Sequence, residues 1–237
     1  MEKMLKIREN WLTRAPHPSA LGGTFLISAA VALLGLWSLD DTSHFAAATR
    51  ATPAAVFSGG EYWRAFASLF VHGDLGHLGS NLFLFIPLTY LILAFFGPGL
   101  LSLGFAAGTA VNLVVLKTLP AHTALIGISG VVYWMGAAWL TLFLLIDRRE
   151  RLKRRFGSAL FLILLLFVPE TLRAEVSHLS HLLGFVAGAG LALGYYAVNK
   201  SKFSAAEVME AVVYADEFEW EEKERAPDPE ICAACEG

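Results

Sequence analysis

Charged residues are scarce in this chain of 237 residues: 16% are Asp, Glu, Lys or Arg, whereas 56% are apolar. Between Leu75 and Ile146 the only charged residue is Lys117. A soluble domain contains about 25% charged residues. The composition therefore excludes an ordinary soluble globular protein and predicts an integral membrane protein.

Cysteine is also rare, and recognisable metal motifs are absent. Cys232 and Cys235 form a single C-A-A-C near the end of the chain, and a zinc site of that kind needs a second pair of ligands. The H-E-x-x-H helix typical of zinc proteases does not occur. Several histidines leave a metal site open as an alternative, but we expect no metal and no cofactor.

Long apolar runs are what the chain has instead, and each membrane-spanning helix needs roughly 20 such residues. We predict an all-α polytopic membrane protein with a cytoplasmic segment at 1–20, a six-helix membrane domain at 21–199 and an acidic cytoplasmic tail at 200–237. The first helix is interpreted as retained, because no convincing signal-peptide cleavage site follows it. The six predicted spans are Leu21–Leu39, Leu75–Phe96, Gly99–Leu119, Ala124–Ile146, Phe156–Leu172 and Val176–Val198.

The distribution of Lys and Arg predicts the orientation, because these residues accumulate in cytoplasmic loops. With a cytoplasmic N-terminus, twelve basic residues near the helix ends lie inside and four outside. Both termini are therefore expected to be cytoplasmic, and helices 2, 4 and 6 to start at the outer face. The outer loop at 40–74 is rich in aromatic residues and is predicted to be partly helical at the membrane interface, with Asp74 capping helix 2.

A short stretch, A-L-I-G-I-S-G-V-V-Y-W, places Ser129 between Gly127 and Gly130. Glycines at these positions allow a tight turn and the close approach of other groups, as an exposed nucleophile requires. The alternative is that the small residues only pack one membrane helix against another.

Polar side chains on two other predicted helices lie at the same depth as Ser129. Ser129 and His181 are each five residues into their runs and Asn81 is six. His77 and Asn81 are four residues apart and share a helical face, and Tyr133 has the same relation to Ser129. Buried polar groups of this kind are candidates for function, although each alone is more typical of an interhelical hydrogen bond.

Together these groups predict nucleophilic acyl transfer. Ser129 would attack a carbonyl, and His181 would accept its proton and return it to the leaving amine. His77, Asn81 and the Ser129 backbone N–H would stabilise the oxyanion. Since the three predicted spans that carry these residues contain no Asp or Glu, we expect a Ser-His dyad, with Tyr133 packing against the imidazole.

The chain resembles the rhomboid intramembrane serine proteases. The matching motifs are Trp63 and Arg64, H-G-D-L-G-H-L-G-S-N from His72 to Asn81, G-I-S-G with Tyr133, and H-L-L-G-F-V-A-G from His181 to Gly188. The resemblance implies six helices around an outward-opening polar cavity, the nucleophile at Ser129, the base at His181 and oxyanion donors at His77 and Asn81. It also implies a small-residue helix face at Gly184 and Gly188. Ser180 and Leu183 depart from the small neighbours common around the base.

The expected function is hydrolysis of peptide bonds in or near transmembrane segments, in the membrane of a prokaryotic cell. Its partners would be transmembrane protein substrates and the lipid bilayer, with no nucleic acid, and the oligomeric state stays open. One alternative is a rhomboid-like protein that binds membrane clients without cutting them. Another is a transporter, which is disfavoured because the polar residues stop in the outer half.

Overall fold

A computed structural model of the chain describes residues 3–167 and 177–213. Most of this part is α-helical. The α-helices, in chain order, are α1 Ala20–Ser38, α2 Phe45–Thr49, α3 Arg64–Ala67, α4 Leu75–Phe95, α5 Pro98–Leu116, α6 Ser129–Ile146, α7 Leu152–Leu166 and α8 His178–Ser204.

Five of these helices, α1, α4, α5, α6 and α8, are long and apolar enough to cross a membrane. The predicted fifth span overlaps α7, which has 15 residues and begins with the basic sequence L-K-R-R. Residues 168–172 of that prediction lie outside the described part of the chain, as do Cys232 and Cys235. The count of six spans therefore stays a prediction.

The fourth predicted span begins too early. The structure has extended backbone where a helix was expected: Leu125 forms an isolated antiparallel bridge with Ala51, and α6 begins only at Ser129. The cause is Gly127, whose φ of 102° is incompatible with a right-handed helix. Ser129 is thus the first residue of its helix rather than the sixth residue of a continuous span.

Helix α6 lies at the centre of the bundle and packs most extensively against α8. Glycines permit this contact. A Cβ atom built at Gly184 would lie 2.4 Å from the Gly130 carbonyl oxygen, and one at Gly188 would lie 2.3 Å from the Trp134 carbonyl oxygen. Since backbone atoms cannot rotate out of the way, the two helices reach this separation only with glycine at these positions. The predicted small-residue face of α8 is therefore present and points at α6.

The outer loop at 40–74 is partly helical, as predicted. It contains α2, α3 and three single turns, at Asp41–Ser43, Ala54–Ser58 and Ser68–Phe70. Arg64 holds the loop together, because its guanidinium pairs with Glu61 and donates to the carbonyl oxygens of Ala47 (3.2 Å) and Arg50 (3.3 Å). Asp74 caps α4, accepting a hydrogen bond from the His77 backbone N–H at 2.8 Å, which confirms its predicted role.

A two-stranded antiparallel sheet, which the sequence analysis did not predict, joins the two terminal segments. Strand β1, Lys3–Glu9, pairs with β2, Val208–Val213, with Ile7 opposite Met209. The loop after α6 holds both strands close to the bundle. Asn10 Nδ2 donates to Asp147 Oδ1 at 2.8 Å, and Arg148 Nη2 pairs with the Glu207 carboxylate at 2.7 Å.

We expect Gly184→Ala to destabilise the protein, because its new methyl group meets the α6 backbone. Overpacking of this kind typically costs about 1–3 kcal/mol. Gly190→Ala is the matched control, since it lies in the same helix with nothing within 4 Å of the added Cβ. Thermal unfolding in detergent should show a lower midpoint for Gly184→Ala only; equal midpoints for the two variants would refute tight α6–α8 contact.

Candidate active site

The predicted site residues come together at one end of the bundle. Helices α4, α6 and α8 all begin there, so Asn81, Ser129 and His181 lie within the first two turns of three neighbouring helices. A single small cavity is lined by His77, Ser80, Asn81, Leu84, Ser129, Val132, Tyr133 and His181. It offers about 10 Å³ of space for the centre of a water molecule, close to the minimum for holding one.

The turn before Ser129 is shaped by Gly127 and by the outer loop. Besides its positive φ, Gly127 has no room for a side chain: a Cβ there would lie 2.9 Å from His77 Nε2. Its N–H donates to the Ser68 carbonyl oxygen at 3.0 Å, and the Leu125 N–H donates to the Ala51 carbonyl oxygen at 2.8 Å. The outer loop thus holds the turn in place and brings the His77 ring against the backbone that leads to Ser129.

Tyr133 stacks on the imidazole of His181. The ring centroids are 4.0 Å apart and the ring planes differ by 12°. The Tyr133 hydroxyl donates to the Phe167 carbonyl oxygen at 2.8 Å, so the orientation of the phenol ring is fixed by this hydrogen bond as well as by its attachment to α6. This arrangement restricts the His181 ring to the plane set by Tyr133.

His181 and Asn81 carry unpaired polar atoms into the cavity. His181 is 3% exposed and Asn81 is 6% exposed. Neither ring nitrogen of His181, nor Nδ2 of Asn81, has a hydrogen-bond partner in the described residues. Since a buried polar group without a partner costs about 1–3 kcal/mol, three such atoms around one cavity make it a candidate binding site.

The first turn of α6 supplies backbone donors at the same place. The first N–H groups of a helix have no intrahelical acceptor and lie at its partially positive end. In α6 these are the N–H groups of Ser129 and Gly130, because those of Val131 and Val132 donate to the Ile128 carbonyl oxygen. Gly130 lets α8 approach this turn, because a Cβ there would lie 2.9 Å from Ser180 Oγ. Ser180, which differs from the small neighbours expected beside His181, fits here because residue 130 is a glycine.

One residue of the cavity was missed by sequence reasoning, and a buried histidine of the outer loop lies beside the cavity. Ser80 lines the cavity and donates from its hydroxyl to the His77 carbonyl oxygen at 3.1 Å. His72 is buried beside the site, and its ring lies at 68° to that of His77, at a centroid distance of 5.1 Å. The spacing of Ser80 from His77, one helical turn, was the available signal. His178, one turn before His181, is exposed and does not line the cavity.

No group of three or more His, Cys, Asp or Glu side chains suited to holding a metal ion occurs in residues 3–167 and 177–213. The polar side chains that line the cavity are the hydroxyls of two serines, two imidazoles, an amide and a phenol: Ser80, Ser129, His77, His181, Asn81 and Tyr133. These are suited to nucleophilic attack and proton transfer.

Comparison with known proteins adds a family assignment. A family model described as the Rhomboid domain matches residues 59–199, which include every residue that lines the cavity. A search of the curated proteins finds no match. The match confirms the predicted resemblance and the all-α polytopic membrane fold, and it supports the assignment of an integral membrane protein.

Burial of His72 predicts a pH dependence of stability. Its burial, together with the charge of neighbouring His77, lowers the pKa of His72 from 6.5 to about 4. Protonation therefore favours the unfolded chain, so this contribution to stability is complete above pH 6.5 and is lost as the pH falls toward 4, by at most about 1.4 kcal/mol per pH unit. The unfolding midpoint of His72→Phe should vary less with pH in this range than that of the wild type.

The exposed His122→Phe is the control for loss of a histidine elsewhere. If the wild type and His72→Phe lose stability in parallel between pH 6.5 and 4, the buried histidine is not responsible.

Proposed function

The chain belongs to the rhomboid family, since the Rhomboid domain covers more than half of it, and we propose that it is an intramembrane serine endopeptidase. It would hydrolyse peptide bonds in or near the transmembrane segments of other membrane proteins. The observation that carries this proposal is the cavity shared by the Ser129 side chain with the unpaired nitrogens of His181 and Asn81.

In the proposed reaction Ser129 Oγ attacks the scissile carbonyl carbon, while His181 accepts the hydroxyl proton. The tetrahedral intermediate then collapses: the C–N bond breaks, and His181 returns the proton to the leaving amine. Water, activated by the same imidazole, hydrolyses the acyl-enzyme and restores Ser129. The stacking of Tyr133 supports His181 as the base, because a dyad without an acidic partner needs another group to orient the ring.

The negative charge on the carbonyl oxygen would be stabilised by donors from two helices. Asn81 Nδ2 has no partner in the described chain, and the His77 ring lies against the turn that leads to Ser129. The Ser129 N–H at the start of α6 adds a backbone donor. Donors held in place before the reaction need no reorganisation when the charge develops, which makes them effective.

The proposed setting is a prokaryotic cell membrane with both termini in the cytoplasm and the cavity near the outer face. This orientation is supported by the basic residues near the helix ends, since it places twelve of them on the cytoplasmic side and four on the outer side. Tyr62 and Trp63 of the outer loop are about half exposed, as expected for aromatic residues at a membrane interface on the cavity side. The substrates would be transmembrane proteins reaching the site from the bilayer.

A rhomboid-like protein that holds clients without cutting them is the second candidate. One observation favours it: the cavity has space for about one water centre, so a peptide enters only if surrounding side chains move. Hydrogen bonds among catalytic groups often tighten only in the substrate complex, so the unpaired state of His181 is compatible with both functions.

Covalent labelling distinguishes the two functions. Because a fluorophosphonate requires a hydroxyl activated by a base, Ser129 should be the serine labelled in the wild type, and mass-spectrometric peptide mapping locates it. Ser129→Ala should abolish both labelling and cleavage of a helical membrane substrate. His181→Ala should abolish labelling in a protein that still unfolds cooperatively.

Matched controls come from the same neighbourhood. Ser80→Ala removes the other serine hydroxyl of the cavity, and His178→Ala removes the exposed histidine one turn from His181; both should still be labelled at Ser129. Labelling that persists in folded His181→Ala would show that this histidine is not the base. A folded wild type that binds substrate without labelling or cleavage would favour the client-binding protein.

The oxyanion donors should act on the chemical step. His77→Ala and Asn81→Ala are each expected to lower kcat by about 10²–10³-fold, with little change in KM, because the bonds form mainly in the transition state. Initial rates over a range of substrate concentrations provide the measurement, with Ser80→Ala again as the control. An unchanged kcat with a raised KM would assign both residues to substrate binding instead.

A further inference from the structure

A second, larger cavity lies at the end of the bundle opposite Ser129, where α4 and α8 terminate. It has about 350 Å³ of space for water centres, and its walls combine cationic with apolar groups. Arg14, His17 and Lys202 line it together with Trp11, Phe96 and Gly97. We call it the basic pocket. It shares no residue with the Ser129 cavity, so the inference drawn from it does not rest on the proposed peptide hydrolysis.

Trp11 forms the rigid centre of the basic pocket. Its indole N–H donates to the Phe95 carbonyl oxygen at 2.7 Å, at the last residue of α4. Its ring packs edge-on against Phe203 of α8, with centroids 5.4 Å apart. The N-terminal segment is tied to α4 a second time, because the His17 N–H donates to the Ala94 carbonyl oxygen at 3.0 Å.

Two cations lie over this indole. The Arg14 guanidinium carbon is 4.1 Å from a Trp11 ring centroid, and Lys202 Nζ is 4.6 Å from one. Neither cation forms an ion pair with a carboxylate in the described residues, whereas Arg148, Arg149 and Arg154 each do. The indole positions the two charges without neutralising them, which leaves the pocket with a net positive charge.

The other walls indicate the chemistry of a ligand that would fit the basic pocket. Leu93, Ala94 and Phe96 extend the pocket onto the apolar end of α4, a helix long enough to span the membrane. Gly97 leads into the N-terminus of α5, and nothing lies within 4 Å of the position its Cβ would occupy. An occupant with a phosphate beside the cations and hydrocarbon along α4 matches both surfaces. Basic residues and Trp at a membrane surface favour such anionic lipids.

We propose that the basic pocket binds the headgroup of an anionic phospholipid, with the phosphate between Arg14 and Lys202 and an acyl chain along the end of α4. The lipid would join the N-terminal segment to the last turn of α8, the helix that carries His181. Bound lipid would therefore stabilise the folded state by mass action.

The test uses the full-length protein in detergent, titrated with phosphatidylglycerol and followed by native mass spectrometry and by the thermal unfolding midpoint. Arg14→Gln with Lys202→Gln should weaken binding about 30-fold, equivalent to about 2 kcal/mol. Arg151→Gln with Lys153→Gln is the matched control, because both are exposed basic residues outside the pocket. The control should bind as the wild type does.

Two further titrations distinguish an anionic phospholipid from other ligands. Phosphatidylcholine should bind more weakly than phosphatidylglycerol, and inorganic phosphate should bind much more weakly than either, because it lacks the hydrocarbon. Equal affinity for phosphate would overturn the lipid assignment in favour of a free anion, and unchanged phosphatidylglycerol binding in the double variant would overturn the site. Arg14→Lys with Lys202→Arg, which keeps both charges, should retain binding. Ser129→Ala should bind lipid normally, which separates this result from that of the labelling experiment.

Discussion

The close contact between α6 and α8 is the constraint on which the rest of the site depends. Gly130, Gly184 and Gly188 bring the two backbones so near that one added methyl group would lie 2.3–2.9 Å from atoms of the opposite helix. Only at this separation does Tyr133 reach the imidazole of His181 to stack on it at 4.0 Å. In a membrane, where apolar side chains gain little by leaving lipid, such packing of small residues is what holds helices together.

The outer loop provides the second constraint. It hydrogen-bonds to the backbone before α6 at Leu125 and Gly127, and its Asp74 caps α4 directly ahead of His77. The outer loop therefore sets the start of α6, which carries Ser129, and the start of α4, which carries His77 and Asn81. This frame surrounds the nitrogens of His181 and Asn81 that have no hydrogen-bond partner in the described residues.

The two ends of the bundle are chemically different. The end with Ser129 has a small cavity lined by Ser, His, Asn and Tyr side chains, and Asp, Glu, Lys and Arg are nearly absent from its helices. The opposite end has paired charges in the loop after α6, where burial is partial and hydrogen bonding from Arg149 lowers the pKa of Asp147. Arg14 and Lys202 of the basic pocket also lie there. This division agrees with a chain whose apolar helices separate two unlike aqueous surfaces.

Much of the site could be predicted from the sequence because its chemistry is local. The i, i+4 spacing puts His77 and Asn81 on one face of α4, and Tyr133 on the same face of α6 as Ser129. The start of α6 could not be predicted in this way, since hydropathy extends unbroken through residues 124–128 and the outer loop draws them into a bridge with Ala51. The pairing of β1 with β2 was also missed, because the paired residues are about 200 positions apart in the sequence and no local pattern links them.

The sequence by itself thus determined that the protein is a membrane-embedded helical bundle and which polar side chains its apolar helices contain, because periodicity, charge scarcity and residue type are properties of the chain. The tertiary structure alone decided which of those side chains meet. It put His181 under Tyr133 but left His178 exposed, and it placed His72 beside His77. The physical reason is that each of these outcomes depends on the separation and rotation of neighbouring helices, which are set by contacts between distant glycines and by an outer loop whose hydrogen bonds no local pattern encodes.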